Sequence, residues 1–187
     1  TPVYKNEIIN RTKLTGTISS SRKILIEKLV DHYKEQDLGF PEDKYPPEKS
    51  IYISLIKSTG IHRIENNEYI LGEPVSESFK SLWDIGKEFL EESKSIKKKI
   101  SEFTEALKNK PIKLKDGLIE FWAPIYLFIN SAQFALYSVS NGEDTYIPVI
   151  NKEVLNLLIK NPKSYKIKTF DFRSEEHTSE LQSPSAI

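Results

Sequence analysis

Leu118-Ile-Glu-Phe-Trp-Ala-Pro-Ile-Tyr-Leu-Phe-Ile129 lies in the most apolar part of the chain, residues 112–150. A run of this length with one acidic residue predicts a buried helix rather than a strand. Pro124 should kink this helix or move its start further along the chain. Asp116 is placed to cap its first turn. We therefore expect the C-terminal core to form on this helix.

Two short apolar segments follow the helix, Phe134–Val139 and Thr145–Val149, and Ser140-Asn-Gly-Glu-Asp144 joins them. Asn-Gly between two such segments predicts a β-hairpin. Helix and hairpin each have an apolar side to cover, which predicts a shared core of Trp122, Leu127, Leu136 and Tyr137. A helix followed by a two-stranded hairpin is also the second half of a winged helix.

The first third of the chain has the same order of elements. Apolar residues at Ile24, Leu25, Leu29 and Val30 share one helical face, and a serine at 19–21 could cap that helix. A second helix is expected over Glu48–Thr59, after Pro47. Strands Ile61–Ile64 and Tyr69–Leu71 around Asn66-Asn67 predict a hairpin. Helix, loop, helix and hairpin over residues 18–71 fit a winged helix-turn-helix.

The remaining segments predict more helix and one strand. A helix is expected over residues 78–93, and helical spacing continues through the basic residues 94–99 to Lys108. Asn151 should cap a last helix, and Tyr165–Phe170 alternates like a half-buried strand. The predicted fold is mainly α with small β-hairpins (α+β), with two winged-helix-like units joined by helices. The predicted domains are 1–74, 75–172 and a tail, 173–187.

The tail is polar, rich in serine and without periodicity. Ser174-Glu-Glu-His-Thr-Ser-Glu-Leu-Gln-Ser183 resembles translated sequencing-adapter read-through, and the alternative is a natural disordered tail. Together with the start at Thr1 and the lack of methionine, it suggests a fragment.

Composition excludes several classes of site and partner. The formal net charge is zero, and there is no cysteine, which rules out disulfides and cysteine-ligated metals. No apolar run is long enough to span a membrane, so we expect a cytoplasmic protein with no membrane partner. The histidines lack partners at metal-ligand spacing, and Asp84-Ile-Gly-Lys87 is not a phosphate loop. We expect no catalytic residue, no cofactor and no metal, and hence no enzyme in this stretch.

The strongest charge feature is a lysine cluster between residues 94 and 115. Its members are Lys94, Lys97, Lys98, Lys99, Lys108, Lys110, Lys113 and Lys115. Lysines on one side of a helix pair could bind DNA phosphates with steep salt dependence, and the alternative is a solvated helix surface. Lys160, Lys163, Lys166 and Lys168 could extend the cluster if the fold brings them near.

The second helix of the first unit is a weak candidate for reading bases. Its predicted outward residues are Lys49, Ser50, Ser54 and Lys57, with no Arg, Asn or Gln among them. The hairpin tip Glu65-Asn-Asn-Glu68 is acidic and should be repelled by phosphate. These features favour backbone contact or protein packing over sequence reading.

Three segments carry a resemblance to a known class of protein. They are Tyr4-Lys-Asn-Glu-Ile-Ile-Asn-Arg11, Tyr45-Pro-Pro-Glu-Lys-Ser-Ile-Tyr-Ile-Ser-Leu-Ile-Lys-Ser-Thr-Gly60, and Lys115-Asp-Gly-Leu-Ile-Glu-Phe-Trp-Ala-Pro-Ile125 with Phe134-Ala-Leu-Tyr137. The chain resembles part of the large bacterial P-loop ATPases of phage-defence and restriction-type loci, including BREX-like ones.

That resemblance implies a helical and winged-helix region outside the ATPase core, without nucleotide-binding motifs. We expect a non-catalytic region that contacts DNA backbone or couples the rest of a larger ATPase chain to partners. The alternative is a protein-interaction scaffold without nucleic-acid binding.

Overall fold

The computed structural model describes residue 9 and residues 11–171; the tail, 173–187, and most of the Tyr4–Arg11 segment lie outside this part. The described helices are α1 (Gly16–His32), α2 (Pro47–Tyr52), α3 (Glu77–Glu92), α4 (Ile100–Lys108), α5 (Asp116–Ile129) and α6 (Lys152–Lys160). The strands are β1 (His62–Glu65), β2 (Glu68–Leu71), β3 (Lys98–Lys99), β4 (Phe134–Ser140), β5 (Glu143–Ile147) and β6 (Tyr165–Thr169). This mixture of helices and two small antiparallel sheets confirms the α+β class.

Helix α5 lies at the centre of the core, as its apolar sequence predicts. Ten of its fourteen residues are buried, so it is covered on nearly all sides. It begins at Asp116 and continues through Pro124, so of the two predicted effects of this proline, a kink or a later start, the later start is wrong. Burial of the helix outweighs the one backbone hydrogen bond that a proline removes. Asp116 is the first helical residue and not the cap, and its carboxylate binds Lys108 Nζ at 2.7 Å.

An aromatic cluster holds α3 and α4 against α5. The ring of Tyr126 is centred 4.8 Å from that of Trp83 and 5.4 Å from that of Phe103. Gly86 of α3 faces the same ring, and a Cβ at this position would lie 2.1 Å from Tyr126 Cζ. The glycine of Asp84-Ile-Gly-Lys87 therefore has a structural role, because it lets two helices approach closely.

The N-terminal helices join the same core. Buried residues of α1 and α2, including Leu25 and Ile51, belong to one cluster with α5, although the predicted domain boundary lies between them. Thr15 caps α1 by accepting a hydrogen bond from the amide of Ile18 at 3.3 Å. The predicted cap at residues 19–21 is wrong because α1 begins earlier, and Ser21 is buried inside it.

Strands β1 and β2 form the predicted first hairpin, and β4 and β5 form the second. Asn66 and Asn67 both have positive φ, as do Asn141 and Gly142, which suits two-residue turns. The second hairpin does not stand alone, because β6 pairs with β4 and β3 pairs with β6. The resulting four-stranded order is β3-β6-β4-β5.

The predicted continuous helix through residues 94–108 is wrong. The chain turns after α3, forms the short strand β3 and enters α4 only at Ile100. The turn is held by two hydrogen bonds to β6: the Thr169 amide donates to the Ser93 carbonyl, and the Ser93 and Thr169 hydroxyls lie 2.6 Å apart. Pairing with the distant strand β6 outweighs the local helical pattern of this segment.

Among the described helices, none combines the length and the apolar character that crossing a bilayer requires.

Candidate nucleic-acid interface

Half of the predicted lysine cluster is engaged in ion pairs. Lys94 Nζ lies 2.6 Å from Glu91, and Lys97 Nζ lies 2.9 Å from Asp144. Lys98 contacts Glu92 and Glu102, and Lys108 contacts Asp116 and Glu105. The pKa values of Lys98 and Lys108 are raised, chiefly by the hydrogen bonds to Glu92 and Asp116. These lysines carry little uncompensated charge.

Three other members of the cluster lie on an anchored loop between α4 and α5. Lys110, Lys113 and Lys115 are exposed, while the intervening Ile112 and Leu114 are buried at 6% and 5% exposure. The Leu114 amide donates to the Leu107 carbonyl at 2.9 Å, which fixes the loop to the end of α4. None of the three lysines forms an ion pair within residues 9 and 11–171. The fold therefore presents three uncompensated positive charges from a fixed backbone.

Lys99, the remaining member, lies at the other end of α4. Helix α4 has nine residues, so about 14 Å of helix separates Lys99 from the loop. The eight lysines thus divide into a paired group and two uncompensated groups, and not into one continuous helical surface.

Strand β6 brings two further lysines beside Lys99. Lys166 is the cross-strand partner of Lys99 on one side and of Tyr137 on the other. Lys168 is two residues further along β6, so it lies on the same face of the four-stranded sheet as Lys99 and Lys166. Its side chain donates a hydrogen bond to the Lys94 carbonyl. The fold thus brings Lys166 and Lys168 near the cluster, as the sequence allowed.

Two tyrosines share this face with the lysines. Tyr137 and Tyr146 are cross-strand partners on β4 and β5, with ring centroids 5.9 Å apart. Tyr137 is half-buried, so its predicted place in the core is wrong: the alternation of β4 directs Leu136 inward and Tyr137 outward. Tyr146 is 56% exposed. The sequence did not lead us to expect this tyrosine pair on the surface. The alternation of inward and outward residues along the two strands would have indicated it.

Asp144 places a carboxylate among the lysines of this face. Its carboxylate contacts Lys97 Nζ at 2.9 Å and Lys166 Nζ at 3.4 Å. The hydrogen bond from Lys97, and then that from Lys166, lowers the pKa of Asp144 below its usual range. Lys97 Nζ also lies 4.0 Å from the centre of the Tyr137 ring. Asp144 therefore holds two lysines against the sheet.

The second helix of the predicted first unit, expected over Glu48–Thr59, offers fewer free lysines to nucleic acid than its sequence suggests. Lys49 is 4% exposed and donates to the carbonyls of Pro41 and Glu42, so its predicted outward position is wrong. Lys57 is paired with Asp37 at 2.6 Å.

His62 is part of a buried hydrogen-bond network behind that helix. Its Nε2 lies 2.7 Å from the Tyr33 carbonyl and its Nδ1 lies 2.7 Å from the Tyr52 hydroxyl. The carbonyl requires a donor, so Nε2 carries the hydrogen and Nδ1 accepts from Tyr52. Burial lowers the pKa of His62, against opposing effects of the Tyr33 carbonyl and Asp37. With His62 at 4% and Tyr52 at 1% exposure, this network is a structural one.

A cleft of about 510 Å³ lies between α3, α5 and the sheet, lined by Trp83, Lys87, Lys94 and Tyr126 among others. The hydroxyl of Tyr126 is buried and lacks a hydrogen-bond partner in the described part of the chain. Burial, followed by the charges of Glu73 and Asp84, raises its pKa. In residues 9 and 11–171, no group of three or more His, Asp or Glu side chains is arranged to hold a metal ion.

Comparisons with protein-family models, with curated proteins and with solved structures each found no match to this chain.

Proposed function

We propose that this chain is a non-catalytic, winged-helix-like region of a larger bacterial ATPase of the phage-defence type, acting in the cytoplasm, and that it contacts the backbone of nucleic acid. The observation that supports the contact is the anchored loop between α4 and α5. Its exposed lysines, Lys110, Lys113 and Lys115, have no acidic partner in the described chain. Lysine is a point charge without bidentate geometry, so it suits phosphates and not base edges.

Binding through this loop should be weak, indifferent to sequence and steeply dependent on salt. Each neutralised phosphate on a duplex contributes about 0.9 to the slope of log affinity against log salt. Three contacts therefore contribute about 2.7 to that slope. Because formal net charge is zero, local charge and not a global field would supply the attraction.

The test is binding of the full chain to a labelled duplex DNA at low and moderate salt. The triple variant Lys110→Glu/Lys113→Glu/Lys115→Glu should lose binding and retain its melting temperature, since these side chains are exposed. A matched control, Lys23→Glu/Lys34→Glu/Lys44→Glu, makes the same charge change at exposed lysines elsewhere. Equal losses in both variants would show only a general charge effect.

Replacing Lys97, Lys98 and Lys99 by glutamate would be a poor test. Lys97 and Lys98 contact Asp144, Glu92 and Glu102, so the variant would place like charges together.

A protein-interaction scaffold is the second candidate, and the ion pairing of four of the eight lysines favours it. Val75 and Ile64, 66% and 60% exposed, would suit contact with a partner protein. A wild-type chain that shows no duplex binding at low salt would support this function over the first.

A further inference from the structure

One row of side chains crosses all four strands on the outer face of the larger sheet. In spatial order it consists of Lys99 on β3, Lys166 on β6, Tyr137 on β4 and Tyr146 on β5, each the cross-strand partner of the next. Neighbouring strands lie about 4.8 Å apart, so the row is about 14 Å long. Two positive charges thus stand beside two aromatic rings in one line.

The core does not require this row. The residues before and after these in β4 and β6 point to the opposite face, where Leu136 and Ile167 are 1% and 0% exposed. Tyr146 keeps more than half of its surface exposed, and Lys99 is exposed as well. The described helices α3 and α4 pack on the inner side, against the buried residues of β6.

From this arrangement we propose that the outer face of the sheet binds single-stranded nucleic acid, with phosphates lying near Lys99 and Lys166. One base stacks on the exposed Tyr146, and a second stacks on Tyr137 once Lys97, whose Nζ lies 4.0 Å from the centre of that ring, is displaced. This rests on the proposed function in one respect, that the chain contacts nucleic acid. It adds a second surface, about 14 Å from the lysine loop along α4, and a different form of the ligand.

The aromatic rings select a single strand. Base stacking on exposed aromatic side chains needs unpaired bases with a free face, which a duplex does not offer along its length. An acidic peptide would satisfy the lysines but has no succession of planar groups for the tyrosines. A positively charged track beside stacking rings matches a strand whose phosphates and bases alternate.

Asp144 reduces the positive charge that the outer face of the sheet offers to a ligand. Its ion pairs with Lys97 and Lys166 keep both lysines from a bound phosphate, so binding must displace the carboxylate or proceed with less charge. Asp144→Asn removes that competition. A change that deletes an ion pair would then tighten ligand binding, which a purely structural role for Asp144 does not predict.

The experiment measures fluorescence anisotropy of labelled single-stranded oligonucleotides of about 12 nucleotides, in DNA and RNA forms, with the full chain. Tyr146→Leu should weaken binding about ten- to a hundredfold, and Tyr146→Phe should retain it, because stacking needs the ring and not the hydroxyl. Tyr45→Leu is the matched control, since Tyr45 is 71% exposed and lies outside the sheet.

Asp144→Asn should tighten binding several-fold and steepen its salt dependence, because two more lysines can then meet phosphates. The control is Glu91→Gln, which frees Lys94 away from the row. Circular dichroism and melting curves of each variant establish that the fold is kept.

The outcomes separate the two proposals. Equal effects of Tyr146→Leu and Tyr45→Leu, or weaker binding by Asp144→Asn, would overturn the sheet-face proposal. Binding of duplex but not of either single strand would also overturn it and leave the lysine loop supported. Single-strand binding that the loop variant leaves unchanged would support the sheet face, and duplex binding that the same variant leaves unchanged would count against the loop. No binding of any nucleic acid would reject both.

Discussion

Replacing Gly86 by alanine should destabilise the protein although alanine is the better helix former. A Cβ at Gly86 would lie 2.1 Å from Cζ, 2.4 Å from Cε2 and 2.5 Å from Cε1 of Tyr126. Carbon atoms in contact prefer at least about 3.5 Å, so the overlap is about 1.4 Å. The ring cannot move aside easily, because Tyr126 is fully buried between Trp83, Phe103 and Trp122.

Two effects of opposite sign determine how much Gly86→Ala changes the free energy of unfolding. Overpacking of a core costs about 1–3 kcal/mol, and an overlap with a buried ring belongs at the upper end. Alanine in place of a helical glycine returns about 1 kcal/mol. The expected net loss in the free energy of unfolding is therefore about 2 kcal/mol, which lowers the melting temperature by about 4–8 °C for a chain of this size.

Urea denaturation of a double-mutant cycle measures this directly. Tyr126→Leu removes the ring atoms that the new Cβ would meet, at its own cost in packing. In that background Gly86→Ala should be neutral or stabilising by up to about 1 kcal/mol. An undiminished stability of the single Gly86→Ala variant would refute the reasoning, as would an equal loss in both backgrounds.

Three further predictions concern stability. Leu136→Ala, at a site 1% exposed, should cost about 2–5 kcal/mol in urea denaturation, and a loss below about 1 kcal/mol would contradict its place in the core. Because folding lowers the pKa of His62, its neutral form stabilises the fold above about pH 6.5. As the pH falls below this value, that contribution to the free energy of unfolding is lost, at up to about 1.4 kcal/mol per pH unit. His62→Gln should remove this contribution from the dependence of stability on pH, measured by urea denaturation. Asn151 accepts from the Val154 amide at 2.9 Å, so Asn151→Ala should cost about 1 kcal/mol and Asn151→Asp much less.

Local patterns in the sequence predicted the elements that depend on nearby residues. The buried helix α5, the two hairpins with their Asn-Asn and Asn-Gly turns, and the Asn151 cap of α6 all appear where they were expected. Periodicity, turn chemistry and capping act within a few residues, so the sequence contains the information directly.

The arrangement of charges and rings depended on contacts between distant residues. Residues 94–99 carry a helical pattern, yet pairing with β6 turns part of them into a strand. Lys97 and Asp144 are separated by 47 positions, and their ion pair removes charge that composition alone would assign to a binding surface. Tyr137, Lys166 and Lys99 form a row only because β6 inserts between β3 and β4. The sequence by itself therefore determined which residues could bind phosphate. Tertiary packing decided which of these residues remain without an ionic partner and which lie side by side. The reason is that ion pairs and strand order bring together residues that are far apart in the sequence, so no short segment of the chain specifies them.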